Sequence, residues 1–141
     1  MRFEDSKYFQ LINSKKIEFL FGNFYISDQI LISELNEGIH FDWDKILQVI
    51  DVIYDYFGGY KKIGYISNRI YSYSIEPQLW LKFHEEYDFI IATAAVSYND
   101  FNYMNATIEK LFTKNSLKRC SSLDEAIYWI QNLKEFKSNQ S

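Results

Sequence analysis

The sequence contains very little cysteine, proline or histidine. Its 141 residues include one cysteine, Cys120, one proline, Pro77, and two histidines, His40 and His84. A single cysteine excludes an intrachain disulfide and favours a reducing compartment, so we expect a cytoplasmic protein. Two histidines also leave few nitrogen ligands for a metal ion.

The sequence also lacks a strong charge bias and a long apolar run. Its formal net charge is −4, with no dense Lys/Arg patch and no basic amphipathic stretch, so we expect neither nucleic acid nor an acidic membrane surface as a partner. The longest apolar run, residues 89–96, is far too short to span a bilayer. The charged first ten residues lack the apolar region of a signal peptide. No membrane insertion is expected.

Apolar and aromatic residues, by contrast, are abundant. They make up 48% and 19% of the chain, respectively, enough for one domain with a sizeable core. Residues 1–15 are weakly patterned and are expected to form an amino-terminal arm, either loose or a short helix. Residues 16–136 are expected to form a single α/β domain, and 137–141 a frayed tail.

Apolar periodicity predicts alternating strands and helices. Strands are expected at 16–21, 29–36, 62–67, 89–97 and 117–121, with 24–27 either continuing the first strand or pairing with it. Helices are expected after Asp42 as N-cap, after Pro77, over 101–112, and after the capping box at 122–125. The order β-β-α-β-α-β-α-β-α predicts a mixed, mostly parallel sheet with right-handed crossovers and an antiparallel first strand.

The same periodicity predicts which side chains form the core. The third helix carries an apolar stripe of Phe101, Met104, Ile108, Leu111 and Phe112, and Ile108 is assigned to the interior. The expected core residues are Ile46, Ile50, Ile53, Ile66, Ile91, Ala94, Ile108, Ile127 and Ile130.

Four segments carry a family resemblance: ISELNEGIHFDWDKIL (32–47), YISNRIYSYSIEP (65–77), IIATAAVS (90–97) and SSLDEAIYWI (121–130). Together they resemble the SpoIIAA-like branch of the STAS-related proteins, a bacterial group often labelled STAS/SEC14 domain proteins. The resemblance spans about residues 17–135 and implies the STAS fold. Related SEC14-type domains bind lipids in an apolar pocket, which implies a lipid-like ligand by analogy of fold alone.

The resemblance also bears on phosphorylation. Anti-sigma-factor antagonists of this fold carry a D-S-[ST]-G turn, phosphorylated where the third strand meets its helix. The corresponding segment here, SNRIYSYSIEP, has neither the Asp-Ser pair nor the glycine. We therefore do not expect phosphorylation to be the main switch; if it occurs, Ser72 or Ser74 is the expected position, because a helix N-terminus stabilises phosphate.

Polar residues cluster where the predicted parallel strands end, which is where open α/β sheets bind ligands. Arg69, predicted to lie in a loop, is expected to bind an anion or to pair with Glu37 or Asp100. The alternative interpretation is that these residues cap helices and satisfy loop backbone groups. The candidate ligand-binding residues are Asn36, Glu37, His40, Ser67, Asn68, Arg69, Ser97 and Asn99.

No catalytic or metal constellation stands out. The groups Glu37/His40/Asp42 and His84/Glu85/Glu86 lack a known metal spacing, and Ser67, Ser72 and Ser74 lack a G-x-S-x-G elbow. Glu34, which could pair with Glu37, is expected to face solvent or form a salt bridge, and Cys120 to be a small buried hydrophobe.

We therefore expect no enzyme, cofactor or metal, but a regulatory or protein-interaction module. It would have a protein partner or form a homo-oligomer. The alternative is a carrier of a small apolar or anionic ligand, and a hydrolase using Glu37 or His40 ranks lower.

Overall fold

A computed structural model provides the structure, which describes residues 1–137. Of the predicted tail, 137–141, Lys137 is the last residue of a short helix and residues 138–141 lie outside the described residues. The strands are β1 (Lys15–Phe19), β2 (Gly22–Ile26), β3 (Ile30–Leu35), β4 (Ile63–Arg69), β5 (Ile90–Ser97) and β6 (Ser116–Cys120). After a 3-10 turn at Phe3–Asp5, the helices are α1 (Tyr8–Leu11), α2 (Trp43–Phe57), α3 (Leu79–Glu86), α4 (Asp100–Lys110), α5 (Leu123–Gln131) and α6 (Lys134–Lys137).

One six-stranded sheet follows the chain order, β1-β2-β3-β4-β5-β6. The first three strands form an antiparallel meander, and β3 to β6 are parallel. This confirms the predicted α/β class. Three strands rather than two precede α2, because residues 22–26 pair with both neighbours. Gly22 permits the tight turn into β2: its φ is +153°, and an added Cβ would lie 2.6 Å from the Glu34 carbonyl oxygen.

Helices cover both faces of the sheet. Along β4, Tyr65 packs into the apolar cluster that includes α2 and α3, whereas Ile66 packs into the cluster that includes α5. Successive side chains of a strand alternate between faces, so these two clusters lie on opposite sides. Gly64 lets α5 approach the sheet closely, since an added Cβ would meet Ile130 at 2.6 Å.

The predicted helix starts are confirmed where a side-chain cap defines them. Asp42 accepts from the Lys45 backbone N–H at the start of α2, and Ser122 accepts from the Glu125 N–H at the start of α5. Gly58 ends α2 in the left-handed conformation, as glycine readily does. No helix within residues 1–137 is long and apolar enough to cross a membrane.

Most of the predicted core is buried, with one clear error. The buried members are Ile46, Ile50, Ile53, Ile66, Ala94, Ile127 and Ile130. Ile91 is only partly buried. The prediction that Ile108 lies in the core is wrong, because 45% of its surface is exposed. The helix that carries it is correctly predicted, but it is rotated so that its apolar stripe points away from the sheet.

Candidate functional site

The carboxyl end of β4 differs from the sequence-based prediction. The strand runs two residues further than expected, so Ser67, Asn68 and Arg69 are its last three residues and are all buried. The prediction that Arg69 lies in a loop is wrong. Because side chains alternate along a strand, Ser67 and Arg69 point to the face of α2 and α3, and Asn68 points to the other. Two separate polar clusters result.

The first, the Arg69–Glu109 cluster, consists of Ser67, Arg69, Tyr73, Trp80 and Glu109. Arg69 donates from Nη1 and Nη2 to the two carboxylate oxygens of Glu109 at 2.7 and 2.8 Å. Trp80 Nε1 donates to the same carboxylate at 3.1 Å. Arg69 Nε donates to Ser67 Oγ at 3.1 Å, and Ser67 Oγ lies 2.9 Å from the Tyr73 hydroxyl. The cluster ties β4, α3 and α4 together.

The charge of Arg69 is compensated inside the protein. Burial disfavours the charged guanidinium, but the neighbouring Tyr73 and the Glu109 carboxylate outweigh burial, and the pKa of Arg69 is raised. The guanidinium carbon also lies 5.2 Å from the centroid of the Tyr73 ring, within cation–π range. The expected partners were Glu37 or Asp100, but the ion pair forms with Glu109 on α4. The N–H groups of the Arg69 guanidinium therefore already have acceptors inside the protein, Glu109 and Ser67.

An apolar cavity of about 70 Å³ lies beside this cluster. Side chains from the sheet, α2 and α3 line it, among them Phe24, Ile50, Trp80 and Phe83, and within residues 1–137 the charged side chain in its lining is Glu109 of α4. A cavity of about 150 Å³ is known to hold one benzene molecule. The space is therefore too small for an acyl chain unless surrounding side chains move.

The second cluster, the Glu34–Asn68 cluster, consists of Glu34, Asn68 and Tyr98 on the opposite face. Glu34 Oε2 accepts from the Phe3 backbone N–H at 2.8 Å and from Asn68 Nδ2 at 2.7 Å. The Tyr98 hydroxyl donates to Asn68 Oδ1 at 2.7 Å. Burial raises the pKa of Glu34, and the two N–H bonds only partly offset it. Glu34 was expected to face solvent or form a salt bridge; it does neither, because amide hydrogens satisfy it.

Residues at the amino terminus cover the second cluster. Asn68 Nδ2 donates to the Met1 carbonyl at 2.9 Å. Phe3 has no exposed surface, and its ring centroid lies 4.9 Å from that of Tyr25. The short-helix alternative for this segment is therefore what the structure shows, and the segment is packed against the sheet rather than loose. Its burial gave no periodic signal in the sequence.

The remaining candidate residues hold loops and a helix end. Asn36 donates to the Leu20 carbonyl, Glu37 accepts from the Ser72 backbone N–H, and His40 Nδ1 lies 2.8 Å from Ser74 Oγ. The Glu37 and His40 contacts fasten the connection after β4 to the loop after β3, whereas the Asn36 contact joins that loop to the turn between β1 and β2.

The two candidate residues at the end of β5, Ser97 and Asn99, do not join loops. Asn99 caps α4 by accepting from the Asn102 N–H at 2.8 Å. Ser97 Oγ is buried without a hydrogen-bond partner among the described residues. The eight candidates thus lie on two faces and in loops, and do not meet in one cleft. Their role in ligand binding stays a prediction.

The groups considered for chemistry form no metal or catalytic cluster among residues 1–137, although His84 Nε2 is buried there without a hydrogen-bond partner. In the part of the chain that the structure describes, no three His, Cys, Asp or Glu residues are grouped to hold a metal ion. His84 is buried, with Nδ1 3.2 Å from Asp88 Oδ1. Cys120 is buried as predicted, and burial raises the pKa of its thiol to about 11.

The surface that sequence reasoning misassigned is the outer face of α4, formed by Phe101, Met104 and Ile108 of the helix together with Leu111 at its C-cap. These side chains are 61%, 58%, 45% and 81% exposed, respectively. The inward residues of the same helix are Asn102, Ala106 and Glu109. The sequence carries the signal as an apolar stripe, but periodicity alone does not determine whether the stripe faces the sheet or the solvent.

Polar contacts explain this rotation of α4. Asn102 Nδ2 donates to the Arg69 carbonyl at 3.2 Å, and Glu109 holds the Arg69 side chain. Between them, Ala106 packs against Ala95 and Leu117 in a small apolar cluster. A buried arginine without its carboxylate would be far more costly than an exposed apolar stripe. The pair therefore orients the helix.

Comparison with known proteins identifies the fold. No protein-family model matches this chain, and no curated protein sequence matches it. The structure is similar to the crystal structure of an uncharacterized protein from the DUF3478 family, with a SpoIIAA-like fold, from Shewanella loihica PV-4. The TM-score is 0.53 at 13% sequence identity, and the match covers 84% of this chain and 93% of the other. The resemblance found in the sequence is thus confirmed at the level of the fold.

Proposed function

We propose that this chain is a non-catalytic protein-interaction module of the kind that serves regulation, and that its contact surface is the outer face of α4. The observation that carries the proposal is that one helix turns four neighbouring large apolar side chains to solvent while burying Asn102 and Glu109. Single exposed apolar residues are common on protein surfaces, but a contiguous patch indicates an interaction site.

Fold stability depends little on the apolar character of this face. The contacts that attach α4 to the sheet come from Asn102, Ala106 and Glu109. Phe101 and Leu111 keep most of their surface in water, so polar residues there would leave the core intact. A partner that covers the stripe would bury this apolar surface, which favours association.

The buried charged groups also support a non-catalytic role. Arg69 and Glu109 neutralise each other, and Glu34 is held by amide N–H groups. None of these groups is placed to reach a substrate in an open cleft. We further propose a cytoplasmic location, which rests on the single cysteine, and no switch that depends on phosphorylation of Ser72 or Ser74.

Native mass spectrometry of protein purified from its own source tests the proposal. We expect a mass increase that corresponds to a bound protein chain, and we expect Met104→Glu to abolish it. The matched control is Leu20→Glu, because Leu20 is a fully exposed apolar residue in the turn between β1 and β2. Equal complexes in both variants would rule out the outer face of α4 as the contact surface.

A second candidate function is carriage of a small apolar or anionic ligand, and the apolar cavity beside Trp80 favours the apolar kind. The cavity has apolar walls, and the Glu109 carboxylate lies at one side of it. Its volume of about 70 Å³ restricts an unrearranged ligand to very small molecules. In the same mass spectra, a small-molecule adduct lost in Phe83→Trp, which fills the cavity, would support this function instead.

A further inference from the structure

We propose that the partner of the outer face of α4 is a second copy of this chain, which packs its own α4 antiparallel across a two-fold axis. The inference rests on the proposed function, because it names the partner for the same surface. The inference adds three things to that function: the partner is an identical chain, the two helices run antiparallel, and named residues of the two copies contact each other.

Residue spacing makes the stripe complementary to itself. Phe101, Met104, Ile108 and Leu111 are separated by three, four and three residues, the spacing of a coiled-coil seam. This series reads the same from either end. A two-fold axis across the middle of the stripe therefore sets Phe101 opposite Leu111 of the second copy, and Met104 opposite Ile108. Both copies then use the same patch, as a closed dimer requires.

The distribution of charge favours the antiparallel direction. The outer face itself carries no charged side chain, and Glu109 on the same helix is buried against Arg69. Exposed Asp100 begins α4, whereas exposed Lys110 and Lys114 lie at and just beyond its end. Antiparallel packing brings the acidic end of each helix near the basic end of the other and opposes the two helix dipoles. Parallel packing would bring like charges together.

The size of the patch predicts a weak dimer. If a fully exposed large side chain has about 200 Å², the four exposed fractions amount to on the order of 500 Å² per copy. A standard stable interface buries about 800 Å² per partner. We therefore expect a dimer that dissociates in the micromolar range and is detectable by its concentration dependence.

Sedimentation equilibrium over a range of concentrations tests the dimer. We expect wild type to pass from monomer to dimer, and Met104→Glu/Ile108→Glu to raise the dissociation constant by at least about 100-fold, because it places carboxylates opposite each other. Leu20→Glu, the matched control, should leave the dissociation constant unchanged. Cooperative urea unfolding of each variant verifies that it is folded.

Cysteine crosslinking tests the direction of the helices. In the antiparallel dimer, the two copies of residue 101 are separated by ten residues of helix, about 15 Å. Phe101→Cys alone should therefore form no disulfide-linked dimer, whereas its mixture with Leu111→Cys should form one. Native Cys120 does not interfere, because it is buried.

The outcomes separate the inference from the proposed function. A monomer at all concentrations, a dimer unchanged by the double glutamate variant, or efficient self-crosslinking of Phe101→Cys would each overturn the antiparallel dimer. If the protein is a monomer but loses a different bound protein in the Met104→Glu variant, the interaction module survives and only the identity of the partner is wrong. If neither association exists, both proposals fail.

Discussion

Arg69 at the end of β4 and Glu109 near the end of α4 form a bidentate ion pair inside the protein, with N–O distances of 2.7 and 2.8 Å. Their side chains are 3% and 2% exposed, respectively. The pair connects residues that are 40 positions apart in the chain. It determines which side of α4 faces the sheet, and through that rotation it exposes the apolar stripe of the helix.

Removing one member of this pair should be strongly destabilising. Glu109→Leu leaves a buried guanidinium without its carboxylate, so we expect the free energy of unfolding to fall by about 3–5 kcal/mol. Arg69→Lys should also destabilise, since an ammonium group cannot form the two parallel bonds. Urea denaturation measures the free energy of unfolding of both variants.

A double variant is the control for this prediction. Arg69→Met/Glu109→Leu should be more stable than Glu109→Leu alone, because no unpaired charge remains. It will not fully recover wild-type stability, since Trp80 Nε1 then lacks its acceptor. A double variant less stable than either single variant would show that the ion pair does not govern this site.

The contribution of Glu34 to the free energy of unfolding should decrease as the pH rises. Burial raises its pKa in the folded protein, so the folded state holds the proton at pH values where the unfolded state has lost it. The stability contributed by protonated Glu34 is therefore lost as the pH rises through that raised pKa. Glu34→Gln keeps an acceptor for the Phe3 and Asn68 N–H groups without the charge.

We expect Glu34→Gln to be more stable than wild type at pH 7, with the difference shrinking toward pH 4.5, the ordinary Glu pKa. Urea midpoints measured across this pH range test the expectation. Glu86→Gln is the control, because Glu86 is exposed on α3. A Glu34→Gln variant that is less stable at pH 7 would mean that the charged carboxylate strengthens the contact with the amino terminus.

Cys120 should not react while the protein is folded. Burial raises the pKa of its thiol to about 11, so the thiolate is scarce near neutral pH. We expect alkylation by iodoacetamide at pH 7.5 to be slow and to accelerate in urea in parallel with unfolding. The fully denatured protein provides the reference rate. Rapid stoichiometric labelling in the absence of urea would contradict the buried position.

Asn99 should act mainly as a helix cap. Asn99→Ala removes the acceptor for the Asn102 N–H, and we expect it to lower the free energy of unfolding by about 1 kcal/mol. Asn99→Asp should preserve stability, since aspartate is an equally good cap. Asn105→Ala, within the same helix, is the control and should be neutral or slightly stabilising. No loss in Asn99→Ala would leave Asn99 free for the ligand role that its position suggested.

Local sequence patterns were sufficient for most of the secondary structure and for the class of fold. The apolar run of β5 indicates a strand buried on both faces, and Asp42 and Ser122 mark helix starts by the bonds they accept. These signals involve residues within a few positions of each other. Such local contacts can be read from a single chain.

Tertiary structure decided the direction of α4 and the roles of the residues at the strand ends. Periodicity shows that Phe101, Met104, Ile108 and Leu111 share one helix face, but not whether that face meets the sheet or the solvent. The answer depended on Glu109, which must reach a buried arginine contributed by a distant strand. Phe3 is likewise buried only because β2 and β3 provide its surroundings. Contacts between segments that are distant in the chain leave no periodic pattern in the sequence. Their free energies therefore determine which helix face is buried, which periodicity alone does not specify.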